Sequence, residues 1–236
     1  MEPNNIPAVT QAQMVEVDRL MIEEYGITLL QMMENEGRNL AELTSELLGG
    51  VVKSKRIAVL GGGGNNGGGG MAAARHLVNW GADVQVALAV PTEKLKDAPV
   101  HQLHTLRKMG VPIINSYPTE NIDLIIDALI GYGLRGTPRG KTAQWIQKAN
   151  RGAVPILSLD IPSGLDADTG SPPGDCIRAD ATLTLALPKV GMLEDGASKF
   201  LGELYVGDIS VPMRLLQEMG IEVKDLFTSS PIMKIS

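Results

Sequence analysis

The sequence predicts an α/β fold: a doubly wound, mainly parallel sheet with helices on both faces and a helical extension at the N-terminus. Three observations predict it. Short apolar runs recur between helical or loop segments, as in strands buried on both faces of a parallel sheet. The first run, Ile57-Ala58-Val59-Leu60, leads into residues 61–70, glycine throughout except Asn65 and Asn66, and then into a helical pattern from Met71. The chemically interesting residues also cluster just after the apolar runs, and in this architecture ligands sit beyond the carboxyl ends of strands.

Taken in order, residues 14–48 read as helix, with Leu20, Met21, Tyr25, Leu29, Leu30 and Met33 near helical spacing and Gly26 breaking the pattern into two. Lys53-Ser54-Lys55 leads into the first strand. A second strand over 84–90 stops at Pro91-Thr92, and a helix over about 100–109 stops at Gly110. Strands follow at 111–114, 124–126, 154–157 and 181–187, with Pro112 and Pro155 at strand starts, where a missing N–H is tolerated. Crossover helices should cover both faces with right-handed connections. Beyond about Val211 the pattern is weak, which predicts a loosely attached C-terminus. With no repeat or linker, residues 1–236 are expected to form one domain.

Composition narrows the function. A net charge of −6 and 3% aromatic residues argue against a general grip on nucleic acid or an anionic membrane. The single cysteine, Cys176, cannot form an internal disulfide, and no Cys-x-x-Cys zinc pattern occurs. No signal peptide or membrane-spanning run is seen, so a cytoplasmic location is expected.

Residues 61–70 suit a phosphate cradle, because glycine permits close approach and N–H groups at a helix start face an anion. The Gly62-x-Gly64-x-x-Gly67 spacing fits a dinucleotide fingerprint, but no acidic residue ends the second strand, which disfavours a dehydrogenase. No Lys-Ser or Lys-Thr follows, which disfavours an ATP P-loop. Asp127 suits either a cation or ribose contact or a turn cap. Residues 131–136 suggest a second phosphate-binding turn with Arg135 as charge partner. Asp160-Ile161-Pro162-Ser163-Gly164 is a compact turn, and not the Gly-x-Ser-x-Gly elbow of hydrolases. Lys189 after a strand reads equally as an anion contact or a solvated cation. His101 and His104 read as a solvated helix face, and Asp166-Ala167-Asp168 as turn acidity rather than a calcium loop.

Together these residues resemble the NAD(P)H-hydrate epimerase family, also called the YjeF N-terminal domain family. The motifs are Met33-Glu34-Asn35-Glu36-Gly37, Gly64-Asn65-Asn66-Gly67-Gly68-Gly69-Gly70, Asp127-Ala128-Leu129-Ile130-Gly131 and Asp160-Ile161-Pro162-Ser163-Gly164, in that order within residues 10–211. The resemblance implies a Rossmann-like fold, a homodimer and a bound monovalent cation, typically potassium, held by Asn66, Asp127 and Ser163. It implies that a hydrated nicotinamide nucleotide contacts Asn65, Asn66, Gly67, Gly68 and Gly69, the turn Gly131, Tyr132, Gly133, Leu134, Arg135, Gly136 and Thr137, and Asp160. The implied activity interconverts the R and S hydrates at C6 of the nicotinamide ring, and a separate ATP- or ADP-dependent dehydratase then acts on the S form. Asp160 is the candidate acid/base, because a carboxylate in a partly desolvated pocket can be tuned toward neutrality. One departure stands out: the family carries Asp where this chain has Gly69. The alternative is therefore a catalytically weak or inactive nucleotide-binding interaction module. The N-terminal Leu29, Met32 and Met33 suit either a dimer patch or core packing.

Overall fold

The computed structural model describes residues 6–119, 121–223 and 226–235. Helices α1 (Gln11–Glu23) and α2 (Leu29–Leu47) come first. Each opens on a capping box, Thr10 with Gln13 and Thr28 with Gln31, in which the threonine hydroxyl accepts from the glutamine N–H. Gly26 separates them with φ +66°, as its place in the pattern predicts.

The remaining elements build one sheet. In chain order they are β1 (Arg56–Gly61), α3 (Asn65–Asn79), β2 (Asp83–Leu88), α4 (Asp97–Lys108), β3 (Ile113–Ile114), β4 (Leu124–Ala128), α5 (Gly140–Arg151), β5 (Ile156–Leu159), β6 (Ala181–Leu185), α6 (Ser198–Leu201), β7 (Glu203–Gly207), α7 (Met213–Glu218) and β8 (Ile232–Lys234). The strand order is β3-β2-β1-β4-β5-β6-β7-β8. Neighbouring strands run parallel except β7 and β8, which are antiparallel.

Alternate residues of the central strands serve opposite faces, as a period of two requires. Ile57, Val59, Val86, Ile126 and Leu183 pack with α2, α3 and α4 on one face. Ala58, Leu60, Ala87 and Ile125 pack with Trp145 and Ile146 of α5 on the other. Pro112 and Pro155 precede β3 and β5 by one residue, and their carbonyls accept from Val86 and Ile125 at 2.9 Å.

Two expectations need correction. Helix α3 begins at Asn65, six residues before Met71, so Gly67 to Gly70 are its first turns rather than a turn before it. Glycine in a helix costs roughly 1 kcal/mol relative to alanine, and close packing explains its use here. A Cβ on Gly68 would lie 2.7 Å from Met33 Sδ, and one on Gly70 would lie 2.6 Å from Ala128 Cβ. The C-terminus is attached: Leu215 and Leu216 of α7 join a core with Met14, Val17 and Met21 of α1, and β8 closes the sheet edge. These elements span only one or two turns, too little for a legible period. Of the two readings open for Met32 and Met33, core packing is the one observed, since both are buried. The exposed large apolar residues of α1 and α2 are Val15, Ile22, Leu30 and Leu47.

Candidate active site at the reversal of strand order

Strand order reverses between β1 and β4, the place where open α/β sheets bind ligands beyond their strand ends. The two following loops are tied together by the Gly62 N–H, which donates to the Ala128 carbonyl at 3.0 Å. A cavity of about 620 Å³ opens there. Gly64, Asn65 and Asn66 at the start of α3, residues 129–133 after β4, Asp160 after β5 and Lys189 after β6 all line it. Helices α1 and α2 wall the remaining side with Gln11, Asp18, Met32 and Glu36, and Lys96 and Arg135 add two exposed cations. Its size lies within the ordinary range of small-molecule sites, about 300–1,000 Å³.

The ends of β5 and β6 set the central side chains. Asp160 has φ +66°, and across it the Ile161 N–H donates to the Leu159 carbonyl at 2.8 Å. Ala186 has φ +60°, with the Leu187 N–H donating to the Leu185 carbonyl at 2.7 Å. Two neighbouring strands thus end in the same three-residue turn, a strained geometry that the rest of a fold must enforce. One turn presents Asp160 and the other brings the chain round to Lys189.

Lys189 is fully buried, which excludes its reading as a solvated cation. Its ammonium donates to Asp160 Oδ1 at 2.5 Å, and to Thr184 Oγ1 and the Leu185 carbonyl at 3.1 Å each. All three ammonium hydrogens therefore have acceptors. Asp160 Oδ2 accepts from the Tyr132 N–H at 2.8 Å. The carboxylate thus has an ion-pair partner, Lys189, that the sequence did not assign to it.

Around this pair stand two further acids. The Tyr132 hydroxyl donates to Asp18 Oδ2 at 2.5 Å, and the Lys189 ammonium lies 5.8 Å from the Tyr132 ring centroid. Burial is the main cause that raises both the Asp18 carboxyl and the Tyr132 hydroxyl above their usual pKa values. Glu36 is 8% exposed, and no other described residue forms a hydrogen bond to its carboxyl. Burial, then the charges of Asp160 and Asp18, push its pKa well above the carboxylate range, while Lys189 opposes the shift.

Asp127 and Ser163 lie behind the cavity wall, both with no exposed surface. Asp127 Oδ1 accepts from Ser163 Oγ at 2.6 Å, and Oδ2 accepts from the Ser163 N–H at 2.8 Å and from Ser158 Oγ at 2.9 Å. Burial raises the Asp127 pKa, and these hydrogen bonds oppose it. Ser163 Oγ also accepts from the Ile130 N–H at 2.8 Å. The Asn66 amide approaches the same loop, its Oδ1 lying 3.0 Å from where a Cβ on Gly131 would be. Asn66 Nδ2 is buried without a hydrogen-bond partner among the described residues.

Of the residues named from sequence, Asn65, Asn66, Gly131, Tyr132, Gly133, Arg135 and Asp160 meet at the cavity. Gly67, Gly68 and Gly69 lie buried inside α3, and Leu134, Gly136 and Thr137 fall outside the cavity lining. Thr137 instead donates to the Pro173 carbonyl at 3.1 Å. His101 and His104 are exposed, and Asp166 accepts from the Asp168 and Thr169 N–H groups as a turn acid. Sequence reasoning missed Asp18, Glu36 and Lys96. Glu36 carried one signal, a charge within the Met33–Gly37 motif beside the buried Met32, Met33 and Leu40.

A doubly wound sheet with a helix N-terminus, carboxylates and cations around one cavity at its strand ends has the architecture of a small-molecule-binding α/β protein. Residues 29–191 match the family model of the YjeF-related protein N-terminus, and the chain belongs to that family. It is 44% identical to an NAD(P)H-hydrate epimerase of Dehalogenimonas lykanthroporepellens, over 94% of this chain and 89% of that protein. It is 34% identical to the NAD(P)H-hydrate epimerase of Rhodopirellula baltica, over 92% and 89%. A bifunctional NAD(P)H-hydrate repair enzyme of Moorella thermoacetica is 36% identical over 88% of this chain but only 41% of its own length. The crystal structure of yeast ynu0 superposes with TM-score 0.82 at 25% identity, covering 97% of this chain and all of that one.

Proposed function

We infer that this chain is an NAD(P)H-hydrate epimerase, interconverting the R and S forms of hydrated NADH or NADPH in metabolite repair. The observation that carries the reading is the cavity at the strand-order reversal, with the Asp160–Lys189 pair at its wall, in a chain whose epimerase relatives match over nearly their whole length. The interaction-module alternative loses its motive, because Gly69 does not leave the site short of carboxyls: Asp18, Glu36 and Asp160 all line the cavity.

The chemistry follows from the substrate. Protonation of the C6 hydroxyl lets it leave as water, and the ring nitrogen stabilises the cation as an iminium. Water then adds to the other face and gives up a proton. Asp160, paired with Lys189 at the cavity wall, accepts that proton. The orphaned N–H groups at the start of α3, Asn65 and Asn66 receive the nucleotide's phosphates, with Lys96 and Arg135 as counter-charges.

The oxygen set around Asp127 fits a monovalent cation. The carboxylate is buried, no Lys or Arg among the described residues pairs with it, and Ser158, Ser163 and the Ile130 carbonyl surround it. Asn66, Asp127 and Ser163 would hold potassium, which would supply positive charge behind the phosphate site. We also propose a homodimer through Val15, Ile22 and Leu30, which sedimentation would test. The chain matches about two fifths of the bifunctional relative, and we read the remainder of that enzyme as the dehydratase that consumes the S hydrate. A cytoplasmic site of action fits such a pairing. No described helix is long and apolar enough to cross a membrane.

The test is chromatographic. Incubated with one pure epimer of the hydrate, the protein should produce the equilibrium mixture faster than the spontaneous reaction. Conversion at the spontaneous rate would refute the reading.

A further inference from the structure

The volume beside Gly69 is filled by a carboxyl group from another helix. A Cβ on Gly69 would lie 1.9 Å from Glu36 Oε1 and 2.2 Å from Glu36 Cδ. A side chain at 69 and the Glu36 carboxyl therefore compete for one space. Only a helix without a Cβ there allows the Glu36 carboxyl to stand against α3, at the wall of the cavity. Other groups that face it are the carboxylates of Asp160 and Asp18 and the ammonium of Lys189.

We propose that Glu36 is the second proton-transferring residue of the epimerisation, delivered from α2 into the space that Gly69 leaves open. This rests on the epimerase reading and deepens it. Three observations favour a reactive over a structural role. The residue is 8% exposed, it lines the ligand cavity, and no hydrogen bond from a described residue holds its carboxyl. A carboxyl that faces a cavity with no protein partner is open to a hydrogen bond from a ligand. Burial and the two neighbouring acids raise its pKa and so favour the protonated form, the state needed to donate.

The balance of the step is simple. The Glu36 carboxylic acid gives its proton to the C6 hydroxyl, the C–O bond breaks, water leaves, and the iminium forms beside the new carboxylate. A water molecule adds to the opposite face, forming the new C–O bond, and its proton passes to the Asp160 carboxylate. The second half returns the proton from Asp160 to Glu36 through solvent, or turnover of the opposite epimer runs the roles in reverse.

Glu36→Gln keeps the volume and removes the acid. The expected result is a fall in kcat of about 10²–10⁴-fold with KM within a few-fold of wild type. A merely positioning residue would raise KM instead. In the folded pair Glu36→Ala and Glu36→Ala/Gly69→Asp, the second variant moves a carboxyl from α2 to α3 and should recover part of the lost rate. Infrared difference spectra of wild type against Glu36→Gln at neutral pH should show a neutral carboxyl band, a readout independent of turnover. Wild-type kcat in Glu36→Gln, no recovery in the folded double variant, or an ionised carboxyl band would each overturn the proposal. If wild type itself leaves a pure epimer at its spontaneous rate, the epimerase reading fails and this proposal with it. If wild type converts the epimer and Glu36→Gln does so equally fast, the proposal alone fails.

Discussion

Lys189 donates to Asp160 Oδ1 at 2.5 Å, and neither side chain has appreciable contact with solvent. The pair joins the ends of β5 and β6. Removing one member of a buried ion pair strands the other charge and costs about 3–5 kcal/mol, whereas replacing both is far less harmful. Lys189→Met should therefore destabilise the protein by about that amount in denaturant unfolding, and Asp160→Asn/Lys189→Met should regain most of it. Equal stability of the single and double variants would show that the pair is not coupled.

The oxygen set behind the cavity makes a second prediction. A ligand that binds only the folded state stabilises it in proportion to the logarithm of its concentration. Melting temperature should rise with potassium chloride and not with choline chloride at equal ionic strength. Asp127→Asn should abolish the difference, since its carboxylate is the one buried charge in that set.

Stability should also depend on pH through Glu36. Its folded pKa is raised above the unfolded value of about 4.3. The folded state therefore keeps a proton that the unfolded state loses. The associated stability is present below that value and declines as pH rises toward the folded pKa. Compared by urea unfolding, Glu36→Gln should match wild type near the unfolded pKa and become the more stable protein toward neutrality. A constant difference across that window would place the Glu36 titration elsewhere.

Loss and readdition of water exchanges the C6 oxygen with solvent. Epimerisation in ¹⁸O-labelled water should place the label in the inverted product, read by mass spectrometry. Inversion without label beyond the spontaneous level would rule out departure of the hydroxyl.

The sheet was legible because its strands are buried on both faces, so 57–60, 124–126 and 154–157 read as unbroken apolar runs. The strand-end rule then placed Asp127, Asp160 and Ser163 at one rim. Elements of three to six residues, such as β8 and α7, carried too little periodicity. The start of α3 was hidden because glycine argues against helix locally, and the close packing against Met33, Glu36 and Ala128 that calls for it is visible only in the fold. Asp18 and Glu36 were invisible as site residues for a different reason. They come from helices more than a hundred residues before Asp160 and enter the cavity only through tertiary packing.

The central question is whether the cavity carboxylate at the end of β5 handles the substrate's protons. The direct measurement is the conversion rate of a single pure hydrate epimer by Asp160→Asn beside wild type, with nucleotide affinity followed by calorimetry. The account predicts that affinity survives within a few-fold while conversion falls by about 10²–10⁴-fold toward the spontaneous rate. Full turnover by a folded Asp160→Asn protein would contradict it.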